Sequence, residues 1–262
     1  MLREGELGIH PPGALGVAFF VHAAADCFIG RGGDGITQPL KQAGALNLED
    51  QGKLRCIPLA GRIFANVLEA DAQGRVSELL LVACNPDQLG LFTGELTRFL
   101  ENLAARGRLR SSADIRAEVP ILLIMPNGLL CEQMMSAYRE QLQESILMRR
   151  LPDATDEVVA ALLDRVVRGV SFQAGGRRGR GPQTVYILER KGSVVIAGGG
   201  AGERRRVEVI LKSHNYPFSS AHQVPGTRIE FDKAMISIVL NVGGLIHTVA
   251  PDGDLIDLRM GD

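Results

Sequence analysis

Hydrophobic and polar positions along the chain fall into short blocks whose period switches repeatedly. Leu7–His10 is a brief apolar run that stops at Pro11-Pro12-Gly13. Ala14–Ala25 follows as an apolar segment of helical length, and Cys27–Gly30 is the next apolar run, so the expected order is strand, turn, buried helix, strand. Leu54–Leu68 alternates in a way that suits a sheet, and Leu79–Cys84 (LLLVAC) is a continuous apolar run. Such a run is what a strand covered on both faces requires, which implies a parallel sheet. Gln88–Ala105 carries Leu89, Phe92, Leu96, Phe99, Leu100 and Leu103 at helical spacing, and Pro120–Met125 is the next buried strand. This β-α alternation predicts an α/β fold.

Past Asn127-Gly128 the spacing predicts helices over Cys131–Met148 and Asp156–Val167, then β-rich runs at Gly169–Ala174, Thr184–Leu188 and Ser193–Ala197 that end the sheet antiparallel. Gly175–Pro182 (GGRRGRGP) is expected as a solvated hairpin tip, Arg205–Leu211 as a short element and His222–Val224 as a brief strand. Pro225-Gly226 marks a boundary. Ile229–His247 is helical throughout, and Lys233, Ser237 and Asn241 stand at i, i+4 and i+8. This spacing lines them up with about 40° of drift per step, while apolar residues cover the remaining surface. Two readings stand: the stripe faces water, or the helix is mostly buried and the stripe looks into a cleft.

Composition narrows the class. The chain has 262 residues, 45% hydrophobic and 23% charged, with a formal charge of −1, so it is globular and carries no global field for nucleic acid or anionic lipid. Only five basic residues are lysines (Lys41, Lys53, Lys191, Lys212, Lys233), which makes a lysine in an apolar setting notable. Cys27, Cys56, Cys84 and Cys131 form no CxxC pair and are expected as reduced thiols in a cytoplasmic protein. Neither HExxH nor GxSxG occurs, so zincin and serine-hydrolase chemistry are poorly supported, and no metal site is expected. The first residues are charged and the longest apolar stretch, Val17–Gly30, contains His22 and Asp26; a soluble, unprocessed protein with no membrane partner is expected.

Gly13-Ala14-Leu15-Gly16 lies between strand and helix, where a glycine lets backbone approach a pyrophosphate at a helix N-terminus. Pro11 stands where the first glycine of GxGxxG belongs. The second strand ends Phe28-Ile29-Gly30-Arg31-Gly32 with no acidic residue for a ribose 2′-hydroxyl, and Arg31 suits a 2′-phosphate, favouring NADP over NAD.

Taken in order, GALG at Gly13–Gly16 with Arg31, ELLLVAC at Glu78–Cys84, PILLIMPNGL at Pro120–Leu129, GVSFQAGGRR at Gly169–Arg178, EFDKAMISIVLN at Glu230–Asn241 and PDGDL at Pro251–Leu255 resemble the 2-dehydropantoate 2-reductases, also called ketopantoate reductases. The resemblance runs over most of the chain. It implies NADPH-dependent reduction of a 2-oxo acid, with 2-dehydropantoate in pantothenate biosynthesis as the first candidate and Lys233 as the catalytic general acid. It also implies that Gly13, Ala14, Leu15, Gly16, Arg31 and Asn127 bind the cofactor, and that Asn127, Ser237, Asn241 and Asp252 bind the substrate. Ser237 and Asp252 replace asparagines of the family, and Asn85 stands where relatives commonly carry a lysine. Family members continue well past the PDGDL segment into an all-helical domain, so residues 1–224 are expected as a Rossmann-like NADP-binding domain and 225–262 as a truncated helical segment.

The chemistry of single residues agrees: a lysine among apolar neighbours loses hydration and becomes a better proton donor near neutral pH. Its plainer role is a snorkelling lysine at a helix start, and Asn127 is equally a turn residue before Gly128. Rival readings are a non-catalytic nucleotide-binding or assembly protein and a reductase of a different 2-oxo acid. Apolar positions around most of Ile229–His247 predict a homodimer through that helix.

Overall fold

The continuous apolar runs become the middle of a sheet in the computed structural model, which describes residues 1–31, 35–83, 86–125, 131–145, 155–179, 181–189 and 191–247. In chain order the strands are β1 (Arg3–His10), β2 (Cys27–Ile29), β3 (Ala45–Asp50), β4 (Lys53–Pro58), β5 (Ile63–Phe64), β6 (Ser77–Val82), β7 (Ile121–Ile124), β8 (Val166–Ser171), β9 (Gly175–Arg178), β10 (Val185–Leu188), β11 (Val194–Ala197) and β12 (Phe218–Ser220). The helices are α1 (Ala14–His22), α2 (Thr37–Ala43), α3 (Val67–Ala72), α4 (Pro86–Ala105), α5 (Ser112–Glu118), α6 (Cys131–Glu144), α7 (Thr155–Asp164), α8 (Ala201–Ser213) and α9 (Gly226–His247).

Eight strands form the main sheet in the order β12-β11-β8-β7-β6-β1-β2-β5. From β5 to β8 every pair is parallel, and β11 closes antiparallel on β8 as the sequence predicts. The chain runs outward from β1 through β2 to β5, then returns to β6 on the other side of β1. That reversal is the topological switch of a Rossmann-like sheet.

Strand alternation explains why the runs are apolar throughout. Leu80, Val82, Leu122 and Ile124 face a core shared with Phe92, Phe99 and Leu103 of α4 and with α5, α6 and α7. Leu79, Leu81, Ile121 and Leu123 face the opposite core, built with Phe19 and Phe20 of α1 and Val207 and Ile210 of α8. The sheet is buried on both faces, so a polar residue at any of these positions would lose its hydration without a partner.

A second sheet, β4-β3-β10-β9, lies outside α1, and its Leu46, Leu48 and Tyr186 join the second core. Several expectations change here. Leu54–Leu68 is not one sheet segment but β4, β5 and the start of α3; Asn66 caps α3 by accepting from the Glu69 N–H at 2.9 Å, and the Glu69 carboxylate accepts from the Ala65 N–H at 2.6 Å. This reciprocal cap overrides the local alternation. Gly175–Arg178 is a strand paired with β10, not part of a solvated tip, because a long-range partner supplies the ladder. Arg205–Leu211 lies inside the longer helix α8, and the brief strand is Phe218–Ser220, paired with β11, while His222–Val224 follows it as turn and coil.

Helix α9 is seated on β8 and β11 by its first turns. Ile229 packs with Val170 and Ala197, and the buried Glu230 carboxylate pairs with Arg168 of β8 at 3.0 Å. Arg168 also pairs with Glu132 in the first turn of α6.

Candidate functional site

The carboxyl ends of β1, β6 and β7 open on one cleft of about 330 Å³. Pro11, Gly13, Ala14 and Leu15 form its first wall, Ala83 and Gln88 its second, and Met125 closes it beyond β7. Across α1, Gly175 and Arg177 of β9 complete the lining together with Ile36. This is the position in an open parallel sheet where ligands gather, beside the switch at β1 and β6.

The turn is built for a close approach. Gly13 is the N-cap of α1 in extended conformation, and no acidic residue sits in the first turn. A Cβ on Gly13 would meet nothing within 4 Å, so the turn is open to the cleft. The first N–H groups of a helix have no intrahelical partner and carry a partial positive charge. Gly16 serves packing instead: a Cβ there would stand 2.1 Å from the Pro11 carbonyl oxygen. The buried His10, which ends β1, is held by a 2.9 Å contact from Nδ1 to the Ile29 oxygen and lies against Phe92 at 4.5 Å between ring centroids. These features fit a dinucleotide pyrophosphate: open backbone donors, a glycine at the cap, and, among the described residues, a wall free of carboxylates.

Arg31 does not share that wall. It lines a neighbouring pocket of about 320 Å³ with Gly90, Leu91, Gly94, Glu95 and Arg98 of α4. The argument for a 2′-phosphate from the lack of a nearby acid therefore changes: the fold brings a carboxylate, Glu95, into the pocket of Arg31, and also a second guanidinium, Arg98. Neither was visible from the strand end alone, because α4 begins more than fifty residues later in the chain.

Lys233 is half-buried in α9, and burial lowers its ammonium from the ordinary lysine range. Ser237, one turn on, is exposed. Neither lines the cleft at Gly13–Leu15. From Met235 to Val239 the helix stands clear of the body: Met235 is 43% exposed, Ile238 54% and Val239 63%. Over the described side chains, 226–239, the helix is therefore not mostly buried within one chain: Ile229 and Glu230 are covered, whereas Phe231 and the run from Met235 to Val239 are exposed. Asn241 belongs to α9, but its side chain lies outside the described residues, as do Asn127, Asn85 and Asp252.

The sequence reading missed Gln88, Met125, Gly175 and Arg177 as cleft residues. The basic GGRR run was the available signal, but its position depends on β9 packing against α1 across a long stretch of chain. Among the described residues no group of His, Cys, Asp and Glu could hold a metal ion, and no helix is long and apolar enough to cross a membrane.

No protein-family model matches the chain, and no curated relative matches it by sequence. Solved structures do match. D-mandelate dehydrogenase in a ternary structure with NADH and anilino(oxo)acetate aligns with a TM-score of 0.56 and 14% identity over 93% of this chain and 65% of that one. A protein from Enterococcus faecalis assigned as a 2-dehydropantoate 2-reductase aligns at 0.52 and 14% identity, over 84% of this chain and 57% of its own. The dimeric ketopantoate reductase of Staphylococcus aureus aligns at 0.50 and 10%, over 92% and 68%. The chain thus spans about two thirds or less of the length of these proteins. Likeness at this identity establishes the fold, and the fold of this chain is the Rossmann-like one of the 2-dehydropantoate 2-reductases.

Proposed function

We propose that the protein binds a nicotinamide dinucleotide in the Gly13–Leu15 cleft and reduces a 2-oxo acid, with 2-dehydropantoate the first candidate. The observation that carries this reading is the open glycine turn at the N-terminus of α1, set at the switch between β1 and β6 with no carboxylate among the described residues of the wall. The mandelate dehydrogenase of the same fold holds NADH and anilino(oxo)acetate, and the sequence resembles the ketopantoate reductases from Gly13 to Leu255.

When bound, the cofactor supplies a hydride to the keto carbon. The chain's own residues do the rest. Backbone N–H groups of the turn hold the pyrophosphate. Arg31 and Arg98, outnumbering Glu95, favour the 2′-phosphate of NADPH. Lys233 donates the proton to the keto oxygen from an ammonium made more acidic by burial. On this reading residues 1–224 are the dinucleotide-binding domain and 225–262 the helical segment that faces it, with Ser237, Asn241 and Asp252 on the substrate side and Asn127 between cofactor and substrate. The exposed face of α9 is covered by a second copy, and the protein serves pantothenate biosynthesis in the cytosol.

A second reading, nucleotide binding without turnover, is favoured by the absence of Lys233 from the cleft wall and by Pro11 in a glycine position. Loss of NADPH absorbance at 340 nm, followed with 2-dehydropantoate and a panel of other 2-oxo acids, separates the two. Oxidation with 2-dehydropantoate as the fastest substrate is expected. Binding of NADPH without oxidation by any acid would leave the second reading.

A further inference from the structure

We propose that Arg177 is a cofactor-binding residue that meets the dinucleotide pyrophosphate from the side of the cleft facing α1; the inference rests on the function proposed above and deepens it. Side chains on a strand alternate between faces, so positions 175 and 177 of β9 share one face and 176 and 178 the other. The face of 175 and 177 is turned to α1: a Cβ on Gly175 would stand 2.7 Å from the Ala14 carbonyl oxygen and 3.0 Å from the Ala18 Cβ. The missing side chain at 175 lets β9 lie directly on the first turn of α1, and Arg177 projects toward the same turn one strand step further.

Its register partner across the ladder, Tyr186, points the same way and donates its hydroxyl to the Pro12 carbonyl oxygen at 3.4 Å, which ties the hairpin to the turn itself. Arg178 points to the opposite face and is neutralised by Glu49 of β3. Arg177 is the one charged side chain in the wall of the Gly13–Leu15 cleft among the described residues. No hydrogen bond or ion pair to another described residue occupies it.

Charge decides the ligand. A helix N-terminus offers about half an elementary charge, whereas a dinucleotide pyrophosphate brings roughly two negative charges. An exposed guanidinium on the opposite wall can add a full charge and a planar fork that matches two phosphate oxygens. The 2′-phosphate is separated from it, because Arg31 and Arg98 line the pocket on the α4 side of the sheet edge.

The test is calorimetric titration of the full chain with NADPH, NADH and ADP, for wild type, Arg177→Met, Arg177→Lys and Arg178→Met. Arg177→Met should weaken all three ligands by roughly 10- to 100-fold, the usual worth of a charge-assisted bond. It should leave the NADPH to NADH ratio unchanged and flatten the salt dependence of binding. Arg177→Lys should recover part of the loss, and Arg178→Met should bind as wild type. Because Arg177 is exposed and makes no internal bond, the Arg177→Met melting temperature should match wild type; if it does not fold, Arg177→Lys carries the test through its lost fork. Unchanged binding of all three ligands would overturn the inference, and so would a loss confined to NADPH, which would assign Arg177 to the 2′-phosphate. A wild-type chain that binds none of the three removes the proposed function, and this inference with it.

Discussion

Replacing Gly16 with alanine separates the packing of the cofactor turn from its chemistry. The added Cβ would stand 2.1 Å from the Pro11 carbonyl oxygen, whereas carbon and carbonyl oxygen normally keep about 3.3 Å apart. Helix α1 therefore has to retreat from the end of β1 by about 1 Å, in a layer where Val17, Phe19 and Phe20 are fully packed. Overpacking of this kind costs about 1–3 kcal/mol, and alanine returns about 1 kcal/mol of helix propensity over glycine. The difference, a net loss of up to about 2 kcal/mol, lowers the melting temperature by at most roughly 4–8 °C in a chain of this size. The same retreat moves the helix N–H groups away from the pyrophosphate, so NADPH affinity should fall at least ~10-fold. Gly13→Ala is the matched control: its Cβ meets nothing within 4 Å, so stability should drop by only about half a kcal/mol, yet the methyl group stands in the cleft and should still obstruct binding. Calorimetric melting with NADPH titration reads both quantities. A Gly16→Ala protein that melts above wild type, with the helix propensity of alanine unopposed, would refute the close approach of α1 to β1, and two variants that both bind NADPH normally would refute the turn as the cofactor site.

Lys233→Ala should lower kcat by roughly 10²–10⁴-fold while leaving NADPH binding nearly intact, measured by steady-state kinetics beside calorimetry. The pH profile has a definite sign: burial lowers the Lys233 pKa, the protonated form is the acid, and so kcat should fall as pH rises, with a midpoint below the ordinary lysine value of 10.5. Arg31→Ala should reduce the preference for NADPH over NADH, and Glu95→Gln should increase it by removing the carboxylate from the same pocket; equal affinities in the wild type would dismiss the 2′-phosphate role. Sedimentation at micromolar concentration should show a dimer, with Val239→Lys on the exposed face of α9 shifting it to monomer; a wild-type monomer would dismiss that interface.

The parts of this fold that were legible in the sequence are those whose burial is complete. Leu79–Val82 and Ile121–Ile124 are apolar at every position because each strand serves two cores, and α4 shows its period because one face alone is buried. Elements set by local hydrogen bonds or distant partners were hidden. The Asn66 cap turned an alternating segment into α3, and β9 became a strand through β10, which itself pairs in parallel with β3 nearly 140 residues earlier. The site divides along the same line. Gly13–Gly16 could be placed as a turn because β1, the turn and α1 that shape it follow one another directly in the sequence. Glu95, Arg98 and Arg177 reach their pockets only through the folding of α4 and β9, and no spacing near Arg31 or Gly13 signals them.

The two margins of the main sheet are β5, of two residues, and β12, of three. An open margin is a row of unpaired amides that another chain can extend into a fibril, and rows this short offer almost nothing to template on. The smaller sheet has a longer margin in β4, where Lys53 and Arg55 alternate along an exposed strand that Pro58 terminates. Cationic side chains and a proline on such a margin repel an incoming strand. Copies of this protein are therefore steered away from amyloid-like stacking, and concentrated solutions should age by side-chain association rather than by strand exchange.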